Sequence, residues 1–145
     1  MIQKVTDQDQ IIAILIKNNF KKNGIEFFTP QTFSQQLGYM LRPCGYKIKP
    51  HIHNIKAREV QLTQEVLYIK SGKIRIDFYS IRQDYIESII VSSGDVILLA
   101  SGGHGFVFLE ESEIIEVKQG PYIGEEDKLH FNHVQDSQIK IVSNE

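Results

Sequence analysis

The chain has 145 residues, 41% of them hydrophobic and 10% aromatic, and its formal charge is −2. One domain over 1–145 is expected at this length, burying roughly 70% of the surface its unfolded form exposes and needing no covalent staple. Near-neutral charge with dispersed Lys and Arg excludes the basic stripe that neutralises nucleic-acid phosphates, so no nucleic acid is expected as a partner. The single Cys44 can make neither an internal disulfide nor a paired-thiolate zinc site, and is expected as a small buried hydrophobe in a reducing, cytoplasmic setting. No apolar run approaches the ~20 residues of a membrane span, and the start MIQKVTDQDQ lacks the basic opening of a signal peptide, so neither membrane association nor export is expected.

In chain order, Asp7 with Gln10 reads as a capping box that opens an amphipathic helix. Ile11, Ile14, Leu15 and Phe20 would form its apolar stripe and Asn23-Gly24 would end it. That makes 1–23 a short N-terminal helical segment, with a frayed terminus as the alternative. From Gly24 onward short β-type runs alternate with Gly, Pro, Ser and Asp: IEFF, LGYML, YKIKPHIH, VLYIK, KIRIDFY, IESIIV, DVILL, FVFL and EIIEVK. This pattern predicts an all-β barrel or sandwich over about 24–131. Pro121 and Gly124 mark the exit from its last strand, and 132–145 is a polar tail or an edge strand carrying Ile139 and Ile141. His130 and His133, in this polar stretch, are expected as surface histidines. Exposed edge strands and the N-terminal segment make a homodimer the expected assembly.

The run KPHIHN carries the chemistry. On an extended strand His51 and His53 project to one side, roughly 6.5 to 7 Å apart along the backbone, so two imidazoles can converge on one ion. Lys47 and Lys49 share that parity and would point to the same opening, where Arg58 could add a planar fork. Together these residues predict a small anionic ligand. The alternative is a bulge that turns the lysines to solvent.

Gly45-YKIKP-His51-Ile52-His53, then Glu65-VLYIKS-Gly72, then Gly94 and the block reaching His104 resemble the two motifs of the cupin superfamily over about Gly45–His104. The resemblance implies a double-stranded β-helix, or jelly-roll barrel, in which His51, His53, Glu65 and His104 point inward at one mouth and hold a divalent transition metal. Fe, Mn, Ni, Zn and Co all suit such mixed nitrogen and oxygen ligands. Glu65 is chosen because it keeps the register to Gly72, and Glu59 is its competitor. Three departures stand out. The gap NIKAREVQLTQ after His53 is longer than the family's; Ala100 stands at the usual proline, with Gly103 alone between Gly102 and His104; and Phe108 occupies the place of the late asparagine.

Three functions follow as expectations. The first is a metal-dependent enzyme, an oxygenase or isomerase, acting on a small anionic metabolite or sugar derivative. The second is a metal-independent isomerase or epimerase of the sugar-nucleotide type, with a histidine as general base. The third is a non-catalytic small-ligand-binding cupin. VKQGPY followed by DK is also similar to uncharacterised cupins of surface-polysaccharide gene clusters.

Overall fold

The computed structural model describes residues 1–143 as ten β-strands and two short 3-10 turns. The strands are β1 (Ile2–Asp7), β2 (Gln10–Ile16), β3 (Gly24–Phe27), β4 (Gly38–Leu41), β5 (Glu65–Ser71), β6 (Lys73–Tyr79), β7 (Tyr85–Ser92), β8 (Val96–Leu99), β9 (Gly103–Phe108) and β10 (Glu113–Lys118). They pair antiparallel into a five-stranded sheet of order β1-β2-β8-β5-β10, a three-stranded sheet β7-β6-β9 and the hairpin β3-β4. The chain is therefore all-β, and the three sheets are not hydrogen-bonded to one another into a closed barrel.

The expected N-terminal helix is replaced by the β1–β2 hairpin. Asp7 and Gln10 are cross-strand partners flanking a two-residue turn, with Gln8 at φ 53°, rather than the two ends of a capping box. The cause lies in Ile11–Ile16, an uninterrupted apolar run that suits a strand buried on both faces. Ala13 and Leu15 face the three-stranded sheet, and Ile14 and Ile16 face the other way.

Two apolar layers result. The inner one joins Leu67, Ile69, Ile97 and Leu99 of the five-stranded sheet to Ile74, Ile76, Phe78, Ile89 and Val91 of the three-stranded sheet. Period-2 alternation of these strands supplies that face. On the opposite side of the large sheet, Phe20, Phe28, Phe33 and Leu37 cover Ile14, Leu98 and Ala100. Phe20 meets Phe28 and Tyr39 edge-on, with centroids 5.5 and 4.9 Å apart.

YKIKPHIH forms no strand. Residues 43–63 are exposed throughout and outside any sheet. Alternation makes a strand only where a neighbouring edge accepts its hydrogen bonds. Here the backbone bond from Tyr46 to Pro43, at 3.2 Å, merely closes a local turn, and Pro50 has no N–H to offer. Cys44, expected buried, lies in this stretch and is exposed.

The C-terminal segment is neither a loose tail nor a full strand. It straps the outer face of the three-stranded sheet. Phe131 stacks edge-on against Tyr79 at 5.0 Å, and the Val134 amide donates to the Tyr79 hydroxyl at 3.0 Å. At the far side Ser88 makes a single parallel bridge with Ile141, its amide donating to Lys140 O while the Val142 amide donates to Ser88 O, each at 2.8 Å. Beneath lies a buried polar cluster. Asp77 accepts from Arg75 Nε and Nη2 at 2.8 and 3.1 Å and from the Ser88 hydroxyl at 2.5 Å. The Tyr85 hydroxyl meets Ser88 and accepts the Lys140 amide, both at 2.8 Å.

Candidate functional site

Glu65 opens β5 and, by alternation, shares the inward face of Leu67 and Ile69. His104 sits on β9, opposite Phe78 and on the face of Phe106, which packs on the inner core. The two sheets thus bring one carboxylate and one imidazole face to face at one end of the core. Glu65 is 7% exposed, and His104 Nε2 lies 3.2 Å from its Oε2. Lys118, the β10 partner of Glu65, places Nζ 3.9 Å from Oε1. The bond to His104, helped by the charges of Lys118 and Lys128, outweighs burial and holds the Glu65 carboxyl below its ordinary value.

Gln64 fixes the start of this strand. Its side-chain oxygen accepts the Gln35 amide at 3.1 Å and the Ser34 hydroxyl at 3.2 Å, and its Nε2 donates to Ala100 O at 3.4 Å. Its backbone oxygen accepts the Gln119 amide at 2.9 Å. On the histidine side, Gly102 has φ 67°, and a Cβ there would stand 2.5 Å from Tyr79 O, so the turn into β9 requires glycine.

A cavity of about 380 Å³ opens over the pair, lined by Thr63, Glu65, His104 and Phe106 and by the strap residues Asp127, Lys128 and His130, with Phe131 closing one side. The Thr63 hydroxyl donates to Asp127 at 2.8 Å, tying the strap to the entrance of β5. A larger depression of about 650 Å³ lies between the β1–β2 and β6–β7 turns, among Asp7, Asp9, Arg82 and Asp84. That depression is lined by carboxylates and Arg82, whereas the smaller cavity brings a carboxylate and an imidazole face to face.

The sequence-derived residues separate into two groups. Glu65 and His104 meet as described. His51 and His53 stand on the exposed 43–63 stretch, their rings 5.3 Å apart, with His51 Nδ1 2.9 Å from Lys49 O. Lys47, Lys49, Arg58 and Glu59 are exposed on the same stretch and do not line the cavity; Glu59 accepts a bond from Gln61 at 3.1 Å. With no strand there, the parity that aimed the lysines and histidines at a common opening does not apply. Two ligand atoms, each ~2.1 Å from one ion, stand roughly 3.0 to 3.4 Å apart. The Glu65–His104 separation meets that condition. The four expected ligands do not converge, however, and among the described residues no group of three or more His, Cys, Asp or Glu side chains is placed to hold a metal.

His130 and Lys128 were not legible as site residues. They flank Leu129 in a polar segment, and only the docking of the strap over β9 brings them to the cavity. Among the described residues no helix is long and apolar enough to cross a membrane. No family model, no curated protein and no solved structure matches this chain.

Proposed function

We propose that the chain binds a small metabolite in the cavity over Glu65 and His104, and that this pair moves a proton on it. The observation that carries the proposal is the 3.2 Å contact between a buried carboxylate and an imidazole that reaches a cavity. The 3.2 Å approach of Nε2 to Glu65 Oε2 orients the ring, and a neutral His104 carrying its proton on Nε2 would offer Nδ1 as the base. Such a pair suits enolisation or epimerisation beside a carbonyl, the chemistry of the metal-independent isomerase and epimerase reading. The cupin resemblance supports the reading, because it implies that Glu65 and His104 point inward at one site.

The test is deuterium exchange in D₂O, followed by NMR, over a panel of keto acids and nucleotide sugars first ranked by the rise in melting temperature they cause. Exchange at a carbon next to a carbonyl is expected with the unaltered protein and is lost in His104→Asn and Glu65→Gln. A stabilising compound that exchanges equally fast with His104→Asn would overturn the assignment.

A second reading is a divalent-metal site that uses Glu65 and His104 and recruits His51 and His53. It is favoured by the donor spacing of the first pair and the 5.3 Å ring spacing of the second. The eleven residues between His53 and Glu65 can span roughly 37 Å when extended, so the tether permits the approach. Elemental analysis decides. This reading needs close to one transition metal per chain, lost in both His51→Ala and His104→Ala, whereas metal content unchanged by either substitution removes it.

A further inference from the structure

The carboxylates of the cavity are already engaged. Glu65 Oε2 faces His104, Glu65 Oε1 faces Lys118, and Asp127 accepts the Thr63 hydroxyl. Lys128 lines the same cavity, its side chain makes no ion pair and no hydrogen bond among the described residues, and its charge is felt at Glu65. His130, two residues on, lines the cavity with it and also a smaller adjoining hollow beside His104 and Tyr79.

We propose that Lys128 and His130 form an oxyanion-binding subsite, so that the ligand is a small metabolite bearing a carboxylate or a phosphate. This deepens the functional reading above and rests on it for the identity of the reacting end. The ammonium is a point charge able to take one oxygen of either group, and a His ring N–H adds a directed donor. Lys128 and His130 are exposed at the edge of the cavity, so salt screens the ammonium and binding should be strongest at low ionic strength. The backbone that presents both residues is held in place beforehand. The Thr63–Asp127 bond anchors it on one side, and the Phe131–Tyr79 contact with the Val134 bond to Tyr79 anchors it on the other. Little backbone ordering then remains to be done on binding. At about 380 Å³ the space suits a small metabolite, near the lower end of ligand pockets.

The experiment uses two probes, inorganic phosphate and malonate, titrated into the full-length protein at low ionic strength and followed by calorimetry and by amide NMR shifts. Saturable binding is expected, with shifts centred on residues 128–131. Lys128→Ala should weaken it at least tenfold, Lys128→Arg should largely retain it, and Lys70→Ala, altering a lysine paired with Glu113 at 2.7 Å, should leave it unchanged. Preference for phosphate or for malonate assigns the headgroup. Shifts absent from residues 128–131, or equal weakening by Lys128→Ala and Lys70→Ala, would overturn the subsite. Because the probes bind without turnover, this outcome is distinguishable from failure of the Glu65–His104 proton transfer, which only the exchange assay reads.

Discussion

Asp77→Ala is the sharpest test of how the strap is held, because everything Asp77 does is visible and nothing about it is solvent-exposed. Asp77 is 0% exposed and receives three hydrogen bonds, two from the Arg75 guanidinium and one from the Ser88 hydroxyl, itself 0% exposed. Removing the carboxylate leaves an arginine whose side chain is 14% exposed with only a distant partner, Asp136, at 3.8 Å. Breaking a buried pair by deleting one partner costs about 3 to 5 kcal/mol, a large share of the ~5 to 15 kcal/mol that stabilises a typical domain. At roughly 2 to 4 °C per kcal/mol for a chain of this size, the melting temperature should fall by about 6 to 20 °C. The loss should be local before it is global. Ser88 loses one of its partners, Tyr85 follows, and hydrogen exchange at the Lys140 and Val142 amides should accelerate at temperatures where β2 and β8 remain protected. Asp77→Asn, which keeps shape and acceptor but not charge, should lie between the two. Scanning calorimetry and amide exchange make the measurement. A melting temperature within about 2 °C of the unaltered protein, or unchanged exchange at Lys140 and Val142, refutes the account of the buried cluster as the strap's anchor.

Two carboxylates should give pH effects of opposite sign. Glu65, held below the ordinary 4.5 chiefly by His104, contributes stability that is present above that value and is lost as pH falls through its lowered folded value, so the deficit of Glu65→Gln should shrink in acid denaturation series. Glu87, on the inward face of β7 opposite Phe78, has its carboxyl raised by burial. Its ionisation disfavours the fold increasingly as pH rises through 4.5 and then through the raised folded value. Glu87→Gln should therefore stabilise the protein at pH 7 and matter little at pH 4. Comparable differences at both pH values, read by chemical denaturation, contradict either account. Gly102→Ala combines left-handed backbone strain of about 1 to 2 kcal/mol with a clash on Tyr79 O, and should lower stability and displace His104, seen as a shifted His104 ring resonance. An alanine variant with native stability and an unmoved ring signal would contradict that geometry.

The sequence by itself determined most strands. β5 to β7, β9 and β10 are short alternating runs between turns, and β8 is a short apolar run; there the local pattern and the final environment agree, since each strand buries one face against the opposite sheet and β8 buries both. It also singled out Glu65 and His104, whose inward parity on β5 and β9 the tertiary structure turns into a contact. Three things only the tertiary structure decided. Ile11–Ile16 is a strand because Phe28, Phe33 and Leu37 cover a second face of the sheet, which helical periodicity cannot distinguish from an amphipathic stripe. Tyr46–His53 is not a strand, because alternation without a partner edge satisfies no backbone hydrogen bond. Lys128 and His130 reach the cavity because Phe131, Val134 and Lys140 dock the C-terminal segment on Tyr79 and Tyr85, contacts between residues more than fifty positions apart that no local pattern encodes.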